Sequence, residues 1–454
     1  MLNTLKIDEI YDTYVIGLEN EGKGVCKING MIVFVPKVLV GEKIRIRITE
    51  IKKNFARGKA VEVLEESKER IESKCPYYEE CGGCDLRHQT MDENLKFKRE
   101  KVYNALKRIG KIDTVVEKCV SSFKDDNYRN KASFKVENDR IGFYKEATYQ
   151  LTDIKECLLV ENEINDCLKE VRNYIKNNNN KINSITIKYG NARGKLLIDI
   201  YSLDDKDIKI IDFLIDKVSC LKTAIFNDKV VYGKGYIEEI SNGLMFEVSS
   251  KSFFQVNSMQ AEKLYDTAIK SAKLSKNDVA LDLYCGTGTI TMIVSKYVKK
   301  VIGIEIVEDA IINAKQNMNI NNINNVNFIC GDATKEISKI KEKIDVIFVD
   351  PPRKGMDRKA ISIMKKINPK KIIYISCNPV TMARDISYLT DLYDVKKVIP
   401  FDMFPNTAHV ECVCVMERRY TSKSVKKAWN KGISEIFRIE NQTVKNALKR
   451  WVKP

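Results

Sequence analysis

One cysteine stands at the point where a buried strand has to end. Residues 372–375 are β-branched or aromatic and predict a strand, and the pair Asn378-Pro379 cannot continue it. Cys377 therefore lies in the turn after a strand, which is where α/β sheets bind their ligands. A cysteine in such a turn is either a small apolar residue that closes the sheet or a nucleophile. The motifs around it favour the nucleophile.

Acidic residues end the neighbouring strands of the same segment. From residue 278 onward, apolar strands alternate with helical segments, which predicts a parallel sheet between two layers of helices. The first strand, with Asp282, leads into a turn whose two glycines let the backbone approach a ligand closely. The second, third and fourth strands end at Glu305, Asp332 and Asp350.

This acidic edge restricts the kind of ligand. A carboxylate after the second strand can accept hydrogen bonds from both ribose hydroxyls, whereas a row of carboxylates repels the phosphates of a nucleotide. A ligand with a ribose, an adenine and a positive charge suits the edge better, and S-adenosylmethionine fits that description. For any single acidic residue, a solvated loop or a helix N-cap remains the alternative.

A thiol beside a methyl donor indicates methylation of carbon. The loop after Asp350 is similar to those of amine methyltransferases, but Arg353 stands where they usually carry an aromatic ring. Carbon 5 of a pyrimidine becomes nucleophilic when a thiolate adds to carbon 6, and a base must afterwards remove the carbon 5 proton. We expect Glu411 to be that base, because partial burial in the last apolar strand would raise its pKa. His409 is the rival base, and His88 is the only other histidine.

Three further thiols surround a Gly-Gly turn at Cys75, Cys81 and Cys84. Thiolates so close in sequence repel one another unless a metal neutralises them. An iron–sulfur cluster fits the spacing best, zinc is the second choice, and unligated thiols are the third. The spacing leaves the fourth ligand open among Cys119, Cys157 and Cys167.

Composition bounds the class of protein. A chain of 454 residues is too long for one core and suggests about three domains. The net charge of +16 indicates a polyanionic partner such as RNA. The thirteen cysteines, an odd number, favour metal ligation and catalysis over disulfide bonds. The sequence has no apolar run of the length of a signal peptide or a membrane span, so we expect a cytoplasmic protein that does not enter a membrane.

The elements before residue 278 are of two kinds. Residues 6–65 predict short strands with glycine turns, and Ile44, Ile46 and Ile48 alternate with arginines as in a half-buried strand. A small five-stranded OB-like barrel that binds oligonucleotides fits this pattern. A helix is predicted over residues 90–110, with Ile109 on its apolar face, and residues 115–244 are strand-rich and irregular.

Four motifs together resemble the RNA uracil-5-methyltransferase family. They are Ser376-Cys377-Asn378-Pro379, Asp350-Pro351-Pro352-Arg353, His409-Val410-Glu411 and Phe253-Phe254-Gln255-Val256-Asn257. The resemblance implies an α/β chain with a C-terminal Rossmann-like class I methyltransferase domain that uses S-adenosylmethionine. It also implies an N-terminal OB-like barrel similar to a TRAM domain and a strand-rich central domain with an iron–sulfur cluster.

The resemblance also assigns roles to residues. It implies Cys377 as the nucleophile and Glu411 as the base, with Gln255 and Asp350 at the junction of uracil and S-adenosylmethionine. Tyr284, Glu305 and Asp332 would hold the cofactor. The four ligands of a [4Fe-4S] cluster would be Cys75, Cys81, Cys84 and Cys157. Since the tRNA-modifying branch usually lacks both barrel and cluster, the chain resembles more closely the branch that acts on 23S ribosomal RNA, and we expect a monomer.

The expected domain limits follow from these elements. The barrel spans 1–66, the RNA-binding central domain 67–91 with 115–247, the methyltransferase domain 92–114 with 248–420, and a basic extension 421–454. Three other functions remain possible at this point: methylation of uracil in tRNA, methylation of an RNA amine, and a non-catalytic role as an RNA-binding assembly factor.

Overall fold

Strands with alternating burial close the N-terminal segment into a barrel. The computed structural model describes residues 5–419, so the predicted extension at 421–454 lies outside the described residues. Ile44, Ile46 and Ile48 are fully buried in the barrel core, as the alternation predicts. The strands, β1 Ile10–Leu18, β2 Gly24–Ile28, β3 Met31–Val35, β4 Lys43–Ile51 and β5 Phe55–Glu65, form a closed barrel in the order β1-β2-β3-β5-β4.

The predicted helix is shorter than expected and changes its pitch. Helix α1 spans Met91–Ala105, and its N-cap Thr90 accepts a hydrogen bond from the backbone N–H of Glu93. A wider π-helical turn, Leu106–Gly110, follows it. The prediction that Ile109 lies on the buried face was wrong, because the wider turn changes the angular spacing of side chains and leaves Ile109 50% exposed.

The central segment forms one sheet with helices against it. Its elements are β6 Lys131–Glu137, β7 Arg140–Tyr144, β8 Leu151–Asp153, α2 Asn162–Asn177, β9 Ile182–Gly190, β10 Lys195–Ser202, α3 Lys209–Lys217, β11 Leu221–Phe226 and β12 Lys229–Tyr232. The seven strands are ordered β12-β11-β10-β9-β6-β7-β8, and a separate hairpin, β13 Tyr236–Ser241 with β14 Leu244–Ser249, follows. The sequence predicted strands here but missed both helices, which share a core with the sheet.

The C-terminal segment is a doubly wound sheet, as the alternation of strands and helices predicts. Its elements are α4 Ser258–Ala272, β15 Val279–Leu283, α5 Thr289–Ser295, β16 Lys300–Glu305, α6 Glu308–Ile320, β17 Val326–Cys330, α7 Ala333–Glu336, β18 Val346–Val349, α8 Arg358–Ile367, β19 Lys371–Ser376, α9 Pro379–Ser387, β20 Tyr393–Phe401 and β21 Glu411–Arg418. The strand order is β17-β16-β15-β18-β19-β21-β20, with β21 antiparallel to both of its neighbours. Strand order reverses between β15 and β18, which opens a crevice at the carboxyl ends of these strands.

Helix α1 packs onto the C-terminal sheet although the central segment separates the two in sequence. Val102, Ala105 and Leu106 share a hydrophobic core with Tyr374 and Tyr393. Within residues 5–419, no helix is both long enough and apolar enough to cross a membrane.

Candidate active site

Cys377 lies in a tight turn between strand β19 and helix α9. The Asn378 side chain caps α9 by accepting a hydrogen bond from the Val380 N–H, and Pro379 occupies the first turn, where no N–H is needed. Asn378 Nδ2 also donates to the carbonyl of Arg353 at 3.1 Å. The turn that carries the thiol is therefore tied to the Asp-Pro-Pro-Arg loop.

Glu411 begins strand β21, which pairs antiparallel with β19. Ser376 is opposite Cys412 in this pairing. Cys377 directly follows Ser376 and Glu411 directly precedes Cys412, so the two residues adjoin the last residue pair of this ladder. Strand pairing thus brings the two predicted catalytic groups together.

The two residues line one cavity with a second carboxyl group and an amide. This catalytic cavity, of about 570 Å³, is bounded by Cys377, Glu411, Asp350 and Gln255, among others. Gln255 is hydrogen-bonded to the hydroxyl of the buried Tyr265. The rival base His409 does not line this cavity, and its Nδ1 instead lies 3.2 Å from an Arg353 guanidinium nitrogen.

Burial controls the ionisation of the catalytic cavity. It raises the pKa of Glu411 well above its ordinary value, with a further increase from Asp350. Burial also raises the pKa of Asp350 to about 6. Burial, Glu411 and Asp350 raise the pKa of Cys377 to about 11, while the nearby Arg353 guanidinium acts in the opposite direction. At neutral pH the free site therefore holds Cys377 as a thiol, and burial shifts Glu411 toward its protonated form.

A second and larger cavity adjoins the first at the crevice of the sheet. Its volume is about 1130 Å³, and its lining includes Tyr284, Glu305, Asp332 and Asp350. Tyr284 has a φ of +63°, so the chain turns sharply as it leaves β15. Six residues line both cavities: Phe253, Tyr284, Gly286, Thr287, Asp350 and Pro352. A ligand in one cavity can therefore reach a ligand in the other.

Two of the predicted cofactor residues already make hydrogen bonds within the chain. One oxygen of Glu305 accepts from the Gly286 N–H at 3.1 Å, and the other accepts from the N–H groups of Ile306 and Val307. Asp332 Oδ1 caps α7 and accepts from the Thr334 N–H at 2.8 Å. The N-cap alternative is thus realised at Asp332, although its side chain also lines the larger cavity.

The Phe253–Asn257 segment is held by a residue that sequence reasoning did not single out. Asn130 Nδ2 donates to the Gln255 carbonyl at 3.1 Å, to Glu239 at 2.8 Å and to Ser258 Oγ at 3.0 Å, and the Asn130 N–H donates to the Val256 carbonyl. Asn130 and Glu239 are both buried. A lone asparagine in a sequence gives no signal of a contact 125 residues away.

Four cysteines line a third cavity, of about 620 Å³. They are Cys75, Cys81, Cys84 and Cys157. Two of their sulfur atoms accept hydrogen bonds at 3.4 Å, Cys81 from the Gly83 N–H and Cys84 from Arg87 Nε. The other two candidates for a fourth ligand, Cys119 and Cys167, do not line this cavity. Within residues 5–419, no three His, Cys, Asp or Glu side chains are grouped closely enough to hold a single metal ion.

The strand order, the glycine turn and the acidic strand ends at the crevice define a class I methyltransferase that uses S-adenosylmethionine. The chain belongs to the tRNA (uracil-5-)-methyltransferase family, whose model matches residues 90–419. The TRAM domain model matches residues 9–61, which lie in the closed barrel.

Similar proteins cover nearly the whole chain. An uncharacterized RNA methyltransferase of Caldanaerobacter subterraneus subsp. tengcongensis is 38% identical, over 92% of this chain and 100% of the relative. One from Clostridium tetani is 36% identical, over 91% of this chain and 97% of the relative. The crystal structure of Pyrococcus abyssi tRNA (uracil-54, C5)-methyltransferase in complex with S-adenosyl-L-homocysteine has a TM-score of 0.72 at 25% identity, over 89% of this chain and 99% of that chain.

Proposed function

We propose that the protein transfers the methyl group of S-adenosylmethionine to carbon 5 of a uridine in RNA through a covalent adduct with Cys377. The observation that carries this proposal is that Cys377 and Glu411 line one cavity, and that this cavity adjoins the crevice of a methyltransferase sheet. An enzyme that methylates an exocyclic amine has no use for a thiol at this position. A non-catalytic RNA-binding factor needs neither the thiol nor a buried carboxyl group in the same cavity.

The proposed reaction proceeds by addition, methyl transfer and elimination. The Cys377 thiolate bonds to carbon 6 of uracil, and the electron pair of the C5–C6 double bond becomes available at carbon 5. Carbon 5 takes the methyl group of the donor, the bond between that methyl group and the donor sulfur breaks, and S-adenosyl-L-homocysteine is left. Glu411 then accepts the carbon 5 proton. The electrons of that C–H bond restore the double bond, and the S–C6 bond breaks to return the thiolate.

The remaining predicted site residues are assigned by the cavities that they line. Asp350 borders both cavities, and Gln255 faces the catalytic one, which suits contacts to uracil and donor. Tyr284, Glu305 and Asp332 would bind the donor in the larger cavity. Phe253 is 73% exposed at the junction of the two cavities, and we propose that it occupies the gap that an extruded base leaves in the RNA.

We propose that the four cysteines lining this cavity hold a [4Fe-4S] cluster. A single zinc ion would need its ligands around one point, and within residues 5–419 no three His, Cys, Asp or Glu side chains are grouped closely enough for that. A [4Fe-4S] cluster spreads its ligands over four irons, and the Arg87 and Gly83 N–H groups supply the hydrogen bonds to sulfur that such clusters use. The cluster would hold the chain around Cys75, Cys81, Cys84 and Cys157 together.

We propose 23S ribosomal RNA as the substrate, because a barrel and a cluster together are typical of the branch of the family that acts on this RNA. We also propose that the protein acts as a monomer. A tRNA substrate is the second candidate, since the similar Pyrococcus abyssi enzyme is a tRNA (uracil-54, C5)-methyltransferase. Mass spectrometry of ribosomal and transfer RNA from cells that lack the gene distinguishes the two by the RNA that loses 5-methyluridine.

Trapping of the covalent intermediate tests the reaction itself. An RNA with 5-fluorouridine at the mapped position carries fluorine where Glu411 would take a proton, so the adduct should persist. We expect wild-type protein with S-adenosylmethionine to give a stable protein–RNA band whose crosslinked peptide contains Cys377. Cys377→Ser should give no band, whereas Cys330→Ser, which replaces an exposed cysteine outside the catalytic cavity, should give the normal amount. Methylation at the normal rate by Cys377→Ser would disprove the covalent route.

A further inference from the structure

The cysteine cavity and the catalytic cavity share a wall. Arg129, Val256, Arg353 and Phe404 line both of them. This wall contains two guanidinium groups and one aromatic ring, which are the side chains that bind the phosphates and bases of single-stranded nucleic acid. RNA whose target base enters the catalytic cavity therefore meets these side chains immediately beside it.

Two aromatic rings, Phe404 and His409, are in contact at this wall, and we call them the aromatic platform. The Phe404 ring contacts the His409 ring edge to face, with centroids 5.9 Å apart and an interplanar angle of 74°. His409 is exposed, and its Nδ1 lies 3.2 Å from a guanidinium nitrogen of Arg353. The two rings thus lie beside a cation, with Phe404 in the lining of the cavity that holds Cys377 and His409 outside that lining.

Buried groups fix the platform from below. The Phe404 carbonyl accepts a hydrogen bond of 2.9 Å from Lys98 Nζ, and the same ammonium group pairs with Asp402 at 2.5 Å. Lys98 and Asp402 are both fully buried, and the Phe404 ring packs against the main core of the C-terminal sheet. The ring position is therefore set before any ligand binds, which reduces the entropy cost of binding.

The charges along the cavity also favour a phosphate at the shared wall. Arg129 Nε donates to the Lys131 carbonyl at 3.0 Å, which orients its guanidinium group, and Lys131 adds a further cation to the lining. The carboxylates of the cysteine cavity, Asp85 and Glu156, do not line the catalytic cavity. Asp85 Oδ2 already accepts the Ala408 N–H at 2.9 Å.

We propose that Phe404 and His409 form a subsite for the nucleotide next to the target uridine, with its base stacked on the Phe404 ring and in contact with His409, and with its phosphate bound by Arg129 and Arg353. This inference rests on the proposed function, because it takes the occupant of the catalytic cavity to be a uridine of RNA. The segments that carry Cys75, Cys81, Cys84 and Cys157 would then help to bind RNA, because they line the cysteine cavity on the other side of the shared wall.

A double perturbation of ring and base tests the subsite. The probes are the mapped RNA with 5-fluorouridine at the target, and two copies that carry an abasic nucleotide on its 5′ or its 3′ side. The readout is the rate of covalent adduct formation at subsaturating RNA, with the affinity for S-adenosyl-L-homocysteine measured on the same proteins. Phe404→Leu should slow adduct formation on the intact RNA by about tenfold to a hundredfold, the loss expected for one stacked base.

The abasic probes separate stacking from general damage. On the probe that lacks the stacked base, wild type and Phe404→Leu should differ by less than about twofold, because the interaction is already absent. His409→Ala, an exposed substitution that does not threaten folding, should show the same dependence on the abasic position with a smaller loss. Tyr297→Leu removes a partly exposed ring just before β16, at the opposite edge of the sheet, and should behave like wild type.

The possible failures are distinguishable. If wild type forms no adduct with the intact RNA, the proposed function is wrong and the subsite fails with it. If wild type forms the adduct but Phe404→Leu slows intact and abasic probes equally, or slows neither, the subsite is wrong and the proposed function stands. A loss of S-adenosyl-L-homocysteine affinity in Phe404→Leu that matches the loss of rate also contradicts the subsite.

Discussion

Arg353 lowers the pKa of the proposed nucleophile, against burial and two carboxyl groups that raise it. With a pKa of about 11, only about one Cys377 in a thousand is a thiolate at pH 8. A unit charge close to the thiolate contributes about 1–4 kcal/mol, and because Arg353 is exposed and screened by solvent we take the lower end. Replacing Arg353 with Met should therefore raise the pKa of Cys377 by about one unit, or about 1.4 kcal/mol.

The sign of the effect on rate follows from the thiolate fraction. Below the pKa of the thiol, each unit by which that pKa rises reduces the thiolate about tenfold. Arg353→Met should thus react about ten times more slowly at any fixed pH below 10, and its rate should reach a given value about one pH unit higher than in wild type. Arg353→Lys keeps the charge and should recover part of the loss.

Alkylation of Cys377 isolates this effect from RNA binding. The rate of modification by chloroacetamide is followed by mass spectrometry of the Cys377 peptide between pH 7 and 10, without RNA or methyl donor. Arg358→Met is the matched control, since it removes an equal charge from a side chain that stacks on Tyr388 and lines neither cavity. If Arg353→Met alkylates with the wild-type pH dependence while it keeps the wild-type melting temperature, the electrostatic reasoning is refuted.

Two further predictions concern groups outside the catalytic cavity. Asn130→Ala removes the donor to the Gln255 carbonyl and leaves Glu239 buried with fewer partners. It should therefore destabilise the fold by about 1–3 kcal/mol in chemical denaturation and lower turnover more than S-adenosyl-L-homocysteine affinity. An equal loss of turnover and affinity would show a purely structural role. Anaerobically purified protein should contain about four irons and four sulfides per chain, and Cys84→Ser should lose them. In Arg87→Met the visible absorption of the cluster should bleach faster in air, because Cys84 loses a hydrogen bond. One zinc per chain would contradict the cluster.

Local patterns in the sequence predicted most of the architecture. The alternation at Ile44, Ile46 and Ile48 predicted a barrel strand, and the apolar runs after residue 278 predicted the parallel strands, because side-chain burial repeats with the period of each element. The sequence analysis did not predict helix α2, although its buried apolar residues follow the helical period. Short strand patterns lie on both sides of it, and they led to the prediction of strands throughout the segment.

Sequence alone could not supply the pairings between distant segments. Strand β21 inserts between β19 and β20, and this insertion brings Glu411 next to the turn that carries Cys377. The carboxylate was conspicuous in an apolar strand, but its partner depends on a register that tertiary packing decides. Asn130 shows the same limit, because a single side-chain hydrogen bond leaves no periodic trace.

The charge balance of the catalytic cavity suggests an order for the proton transfers. Glu411 raises the pKa of the Cys377 thiol, and burial together with Asp350 raises the pKa of Glu411. In the proposed reaction a thiolate therefore forms more readily beside a protonated Glu411 than beside its carboxylate. Once sulfur is bonded to carbon 6 in the proposed adduct, it is a neutral thioether and no longer opposes the ionisation of Glu411 as a thiolate would. A methyl donor bound beside Asp350, where the two cavities meet, would bring a positive charge that favours ionisation of Glu411 further. In the proposed reaction, the carboxyl group that is neutral while the adduct forms can then lose its proton before it is needed as the base.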